Sequence, residues 1–428
     1  MTVDERLAAL ALKRPEILLP REGIDLRRWA VIACDQHTSN RTYWEELEST
    51  IGDSPSTLRL VFPEAYLDER ELTEEADRIG SRVRSYLDQG VFESYPETPI
   101  VAVRKSVDGS LRPGILFALD LEEYDYTPGS TTLVRASELT IESRLPPRVE
   151  IRERSPLELP HILVLIDDEE SSVIEPLAET LPKSGPPLYE TELLAGGGSV
   201  AGYALEEENI KGSFLPALEG LKEKRRSFLY AAGDGNHSLA AAKEVWERRK
   251  RAGAPNDHPS RWALVELVNL YTPGLRFEPI HRLVTGGGVE EVAAAIEAGA
   301  ESIDEIKESR EAIDETNEGK REARRREILF LRDGRGRRIL LPETDTLPIA
   351  VVDDAISGSE EIEVDYVHGD TEVLRVAEER GGAAIVLPPI DRRLLFPTVA
   401  QRGVLPRKAF SLGHAEEKRY YMEARRIE

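Results

Sequence analysis

One cysteine, Cys34, stands among 428 residues. A disulfide within the chain is therefore excluded, as is a zinc cluster built on several thiolates, and a reducing compartment fits. No apolar run approaches the roughly 18 residues of a membrane span, and the N-terminus lacks the basic-then-apolar layout of a signal peptide. The expected location is the cytoplasm, with no membrane partner. The seven histidines show no close His-x-His or His-Glu-x-x-His spacing, so a dedicated metalloenzyme site is not expected. Positive charge is also scarce: 56 Lys and Arg against 80 Asp and Glu leave a net charge of −24. That balance repels nucleic-acid backbones, and no general nucleic-acid binding is expected. It does not exclude nucleotides, whose phosphates a divalent metal and a few basic side chains can screen locally.

What is present reads as an ordinary globular chain, 40% hydrophobic and 32% charged. At about 150 residues per domain, two or three domains are expected. Short apolar runs bounded by turn residues alternate with helical patterns, which points to a mixed α/β fold. Strands are expected at Trp29–Ala33, Leu58–Phe62, Thr131–Ala136, His161–Asp168, Phe228–Ala232 and Arg261–Leu270, with the clearest hairpin at Ile100–Val107 and Leu111–Leu121. The glycine-rich segment Ala195–Ser199 follows no predicted strand, so it reads as a mobile loop and a candidate lid rather than a dinucleotide fingerprint. The charged run Glu301–Glu327 reads as a solvated helix face or linker and marks a seam. Three parts follow: an N-terminal α/β domain at 1–130, a central domain at 131–300 and a C-terminal α/β domain at 301–428.

The chemistry concentrates at Gly233-Asp-Gly-Asn-His-Ser238, between the expected strand and a helix over Ser238–Glu247. Glycines on either side of Asp234 allow a sharp bend and close approach of a ligand to the backbone. The first N–H groups of the following helix make a ready anion site, and phosphate is its commonest occupant. Gly235, Asn236, His237 and Ser238 are therefore candidate phosphate or nucleotide ligands. The plainer alternative is that Asp234 or Asn236 merely caps the helix; that leaves His237 unexplained.

Other polar clusters stand at strand ends. Cys34-Asp-Gln-His-Thr-Ser39 is equally suited to lining a crevice or capping a helix. Glu138 closes the expected strand Thr131–Ala136 and, by itself, reads as a solvated or capping residue. His281 and Arg282 could meet a phosphate, or Arg282 could pair with one of the many acids. Arg407 and Lys408 form a compact phosphate-compatible set near the C-terminus, or a basic surface tail.

Together, Ala33-Cys-Asp-Gln with Tyr43-Trp-Glu-Glu, Val134-Arg-Ala-Ser-Glu-Leu-Thr140, Asp234-Gly-Asn-His-Ser238, Pro279-Ile-His-Arg282 and Leu405-Pro-Arg-Lys408 resemble, in order and over nearly the whole chain, a family known as a domain of unknown function and numbered ten-fifteen. That family is itself similar to free-serine kinases of the ParB/sulfiredoxin superfamily. The resemblance implies a ParB/sulfiredoxin-like nucleotide-binding core with additional N-terminal and C-terminal α/β regions. It also implies an Asp-Gly-His-His-Arg turn that grips phosphates and a glutamate that acts as base on a serine hydroxyl. Asp234, Gly235 and His237 match the turn, while Asn236 replaces its first histidine and Ser238 its arginine. Glu138 matches the base, and Ser137 replaces the histidine before it. Losing the arginine removes a cation able to neutralise a transferring phosphoryl group; Arg282 or Lys408 are candidates to replace it.

Two functions follow as expectations. One is a phosphotransferase that uses Mg²⁺, held near Asp234, and ADP, ATP or CTP, with Glu138 and Asp234 catalytic and a small hydroxylated metabolite, free serine among the candidates, as acceptor. The other is a noncatalytic nucleotide-binding sensor that engages a partner protein, which Ser238 in place of arginine favours. Oligomeric state is not legible.

Overall fold

A computed structural model describes residues 1–38, 40–225, 227–314 and 325–428. The chain divides into two units, Met1–Leu275 with Gly413–Glu428, and Arg276–Leu412. Both are mixed α/β. Among the described residues no helix is long and apolar enough to cross a membrane.

The first unit is organised on one mixed sheet: β1 (Ile100–Lys105), β2 (Leu111–Asp120), β3 (Tyr124–Asp125), β4 (Val134–Ala136), β5 (Leu163–Ile166), β6 (Tyr189–Glu192), β7 (Ser199–Ala204), β8 (Tyr230–Asp234) and β9 (Trp262–Asn269). The order is β6-β7-β1-β2-β9-β5-β8-β4-β3, with the short strand Leu12–Lys13 added on β2. Alternation sets the layers. Ile115, Phe117 and Leu119 of β2 enter a core with Phe214, Leu218 and Trp246, whereas Leu116 enters a second core with Trp29, Ile79 and Val83 on the other face. With both faces covered, β5 can be wholly apolar, and all four of its residues are buried.

Strand β8 runs parallel to β4 and antiparallel to β5, pairing Asp234 with Leu163. The C-terminal ends of β4 and β8 therefore lie at the same end of the sheet as the start of β5. Helices α1 (Leu145–Arg154) and α2 (Asn236–Arg251) pack together there through Leu145, Val149, Ala240, Ala241 and Val245. The small alanines on α2 let the two backbones come close.

The second unit holds β10 (Phe277–Gly286), β11 (Ser302–Ile306), β12 (Glu327–Arg332), β13 (Arg335–Leu340), β14 (Ile362–His368), β15 (Ala383–Val386) and β16 (Phe410–Leu412), with helix α3 (Asp370–Arg380) among its helices. The order is β11-β13-β12-β15-β10-β14, and β16 also pairs with β10.

Several expectations need correction. Leu58–Phe62 is no strand: Ser56 caps a 3-10 turn at Thr57–Arg59, and the apolar residues after it serve the core under Trp29 as irregular chain. The segment Ala195–Ser199 does follow a strand: it makes the turn from β6 into β7, closed by Leu193 N–H to Gly198 O at 2.8 Å and Gly197 N–H to Leu194 O at 3.1 Å. The three-part division also differs from the two units. β1 and β2 from the 1–130 segment share a sheet with β5, β8 and β9, and residues Gly413–Glu428 return to the first unit. Pairing between strands distant in sequence is invisible to composition. Ser39 and residues 315–324 of the expected charged linker lie outside the described residues.

Candidate functional site

The central turn is tighter than its sequence suggests. Asp234 is the last residue of β8, Asn236 is already the first of α2, and Gly235 alone makes the bend at φ 73° and ψ 26°. An L-residue is disfavoured in that left-handed conformation, and a Cβ there would stand 3.1 Å from the Ile162 backbone. Gly235 is itself the N-cap, and among the described residues no side chain caps this helix of 16 residues. The capping alternative for Asp234 and Asn236 is thereby removed. Ser238 and Leu239 N–H both donate to Gly235 O at 3.0 Å, so the part of this uncapped start that an anion could meet lies ahead of Ser238, backed by the helix dipole.

Asp234 accepts from Gly235 N–H at 3.0 Å and pairs with Lys418 Nζ at 3.1 Å. Lys418 reaches it from far along the chain because two buried arginines strap its segment onto the sheet. Arg104 donates to the carbonyls of Lys418 and Glu416, and at 2.8 Å to that of Gly197; Arg112 donates to that of Glu417 at 2.8 Å. Tyr420 and Tyr421 then pair with Ile32 and Val31, next to Cys34 and Asp35.

Asn236 and His237 tie the loop that carries Glu138 to the turn. His237 Nε2 accepts from Ile141 N–H at 3.1 Å, and Asn236 Nδ2 donates to Ser137 Oγ at 3.5 Å. Asn236 is only 8% exposed, and its Oδ1 has no partner among the described residues. Glu138 stands two residues beyond β4, after Ser137, and is half-buried.

On the other side, His161 Nε2 lies 2.8 Å from Ser238 Oγ, and its Nδ1 lies 3.4 Å from the Tyr421 hydroxyl. That hydroxyl accepts from Cys34 N–H at 3.1 Å and donates to Cys34 Sγ at 3.2 Å. In the tautomer that carries its proton on Nδ1, toward the Tyr421 hydroxyl, His161 offers the Nε2 lone pair to Ser238. Burial lowers the His161 pKa despite the nearby Asp35 and Asp234 carboxylates, so the ring is neutral near pH 7. Burial alone would raise Asp35, but His161, a hydrogen bond from Gln36 at 3.0 Å, Lys418 and Arg148 together keep it below the ordinary carboxyl value. Burial pushes the Cys34 thiol up to about 12, which makes it an inert partner. Asp35, His161 and Ser238 line one end of a cavity of about 140 Å³, with Glu64 and Arg148 as an ion pair on its wall and Val61, Phe62 and Ile151 among its apolar lining.

The structure thus gathers Asp234, Gly235, Asn236, His237, Ser238 and the Glu138 loop. His281, Arg282, Arg407 and Lys408 belong to the second unit, and there the fold uses the first two. Arg282 is fully buried; it grips Asp353 at 2.8 and 3.0 Å and donates to the carbonyls of Ile280 at 2.8 Å, Lys408 at 3.2 Å and Arg407 at 3.0 Å. Those five bonds use all five N–H donors of a guanidinium. His281, 1% exposed, meets Asp370 through Nε2 at 2.7 Å and accepts from Leu387 N–H through Nδ1 at 3.1 Å. Arg407 and Lys408 stand over the Tyr366 ring at 5.4 and 5.1 Å.

The expected Mg²⁺ does not fit this donor set as a resident ion. Among the described residues no three His, Cys, Asp or Glu side chains converge, and the Lys418 ammonium occupies the place beside Asp234 where a cation would sit. Sequence reasoning missed Lys418, Arg148 and Tyr421, and it saw His161 only as the start of a strand. A histidine just before an apolar strand was the one available signal.

Fold and site together define a mixed α/β protein with a glycine-hinged strand-to-helix turn. Residues 18–358 match the family described as protein of unknown function (DUF1015), and the chain belongs to that family. No curated protein matches the chain. Among solved structures, it is similar to free serine kinase in complex with AMP, at 10% identity over 76% of this chain and 95% of that one, with a TM-score of 0.35. A free serine kinase variant in complex with ADP gives 10% identity over 76% and 95%, with a TM-score of 0.37. A conserved hypothetical protein from Pyrococcus furiosus gives 13% identity over 72% and 90%, with a TM-score of 0.31.

Proposed function

We propose that the turn at Gly235 binds a nucleotide, ADP, ATP or CTP, through its phosphates. Its terminal phosphoryl group then passes to a small hydroxylated metabolite, with free serine among the candidates. The observation that carries this reading is the uncapped start of α2 behind a left-handed glycine, with Lys418 at its edge and the Glu138 loop tied to it by Asn236 and His237. Backbone N–H groups and the helix dipole meet the phosphates, and Lys418, paired with Asp234, adds positive charge at the edge of the turn. Glu138 takes the acceptor's proton. Positioning and electrostatics, the terms that dominate phosphoryl transfer, are what this arrangement supplies.

The test is phosphorus NMR of the protein with ADP, ATP and CTP in Mg²⁺-containing buffer and a pool of amino acids that includes serine. A new phosphomonoester signal is expected. Glu138→Gln should slow its appearance by about 10²–10⁴-fold while nucleotide signals still shift on binding; an unchanged rate removes Glu138 from the reaction. The second reading, a noncatalytic nucleotide sensor that engages a partner protein, is favoured by one observation: Ser238 replaces that arginine and is hydrogen-bonded to His161. It predicts shifted nucleotide signals with no product, and loss of those shifts in Asp234→Ala.

A further inference from the structure

The Ser238 N–H already donates to Gly235 O at 3.0 Å, and the proposed transfer leaves the side chain of Ser238 without a task. That side chain has a nucleophile's surroundings. Its Oγ lies 2.8 Å from a neutral imidazole nitrogen, and the ring is held from behind by a tyrosine whose own proton is engaged. Nucleophile, base and orienting group stand in the sequence that activates a hydroxyl. Ser238 and His161 both face the cavity, so a substrate can reach them. Ser238 is also the third residue of α2, where a phosphate ester is favoured by the helix dipole.

We propose that Ser238 is the first acceptor of the phosphoryl group, so that transfer proceeds through phosphoserine at position 238; this rests on the nucleotide-binding reading above. In the first step Ser238 Oγ forms a bond to the terminal phosphorus. The bond from that phosphorus to its bridging oxygen breaks, its electron pair leaves with the shortened nucleotide, and the Ser238 proton moves to His161 Nε2. In the second step the acceptor's hydroxyl oxygen attacks the same phosphorus and Glu138 takes its proton. The bond to Ser238 Oγ breaks, and His161 returns the proton to that oxygen. Serine at the position where the related kinases carry arginine thus marks a change of route rather than a loss of activity.

The experiment incubates the full chain with terminally radiolabelled ATP, and separately ADP, without acceptor, followed by rapid quench, intact mass measurement and peptide mapping. Phosphorus NMR in parallel reports nucleotide binding. One phosphoryl group per chain, mapped to Ser238, is expected. His161→Gln should form it about 10²–10⁴-fold more slowly with nucleotide shifts intact. Ser238→Ala, checked for folding by circular dichroism, should bind nucleotide and carry no label. Adding serine or the acceptor found by NMR should discharge the label. Nucleotide binding with product formed by Ser238→Ala at the parent rate overturns the phosphoserine route and leaves the kinase reading standing. Nucleotide binding with neither label nor product also overturns it and leaves the sensor. Silence of the nucleotide signals overturns both.

Discussion

Asp234 and Ser238 in the first unit, and Arg282 in the second, are all polar residues carried at or near buried strands, yet they end in opposite conditions. Asp234 and Ser238 take partners from residues 161 and 418, brought in from separate segments, and Ser238 still faces a cavity. Arg282 sits in mid-strand, where β14 and β15 flank it, and spends every guanidinium donor on Asp353 and three carbonyls. A cation with all donors used has nothing left for a phosphate. What separates the two settings is the open space beside Ser238 and the full use of every donor on Arg282, rather than residue type.

The comparison can be broken most forcefully at Arg282. Arg282→Ala leaves the Asp353 carboxylate and three carbonyls without their donor, and should cost the second unit about 3–5 kcal/mol in chemical denaturation. Arg282→Lys should rescue little, since one ammonium cannot replace the planar fork. An Arg282→Ala protein of parent stability that has lost nucleotide binding would return this residue to the site.

Gly235→Ala probes the other side with a smaller effect. Forcing an L-residue into the left-handed region costs about 1–2 kcal/mol, and the Cβ must also displace Ile162. Nucleotide affinity should fall further than stability does, because the helix start would shift. A variant that folds less stably yet binds as before would show that the turn serves only the fold.

The mildest probe is pH. The folded His161 pKa is lowered from its ordinary 6.5, so below that pH the unfolded chain takes a proton that the folded chain refuses. Stability is full above about pH 6.5 and falls as pH drops toward the folded value, by at most about 1.4 kcal/mol per pH unit from this ring. His161→Gln should flatten the slope just below pH 6.5 in denaturation at each pH. An identical slope would mean that other groups, His37 and His258 among them with their lowered pKa values, govern it.

Local signals carried much of this far. The hairpin of β1 and β2 and the strand-to-helix change at Asp234–Ser238 were both legible, because each depends on periodicity and turn chemistry within a few residues. Leu58–Phe62 was misread for the same reason: an apolar run reports burial, and burial does not require a strand. Lys418 gave no local signal, and its place beside Asp234 follows from Arg104 and Arg112 holding its segment at the sheet.

The sequence by itself determined the class of this protein: acidic, with a single thiol, mixed α/β, and with a glycine-hinged polar turn at the start of a helix. Only the tertiary structure decided which charges remain available there. It buried Arg282 among acceptors, set Lys418 against Asp234 and placed His161 at Ser238. Those pairings join residues tens to hundreds of positions apart, and their strength depends on burial and on the geometry of both partners, neither of which any local pattern encodes.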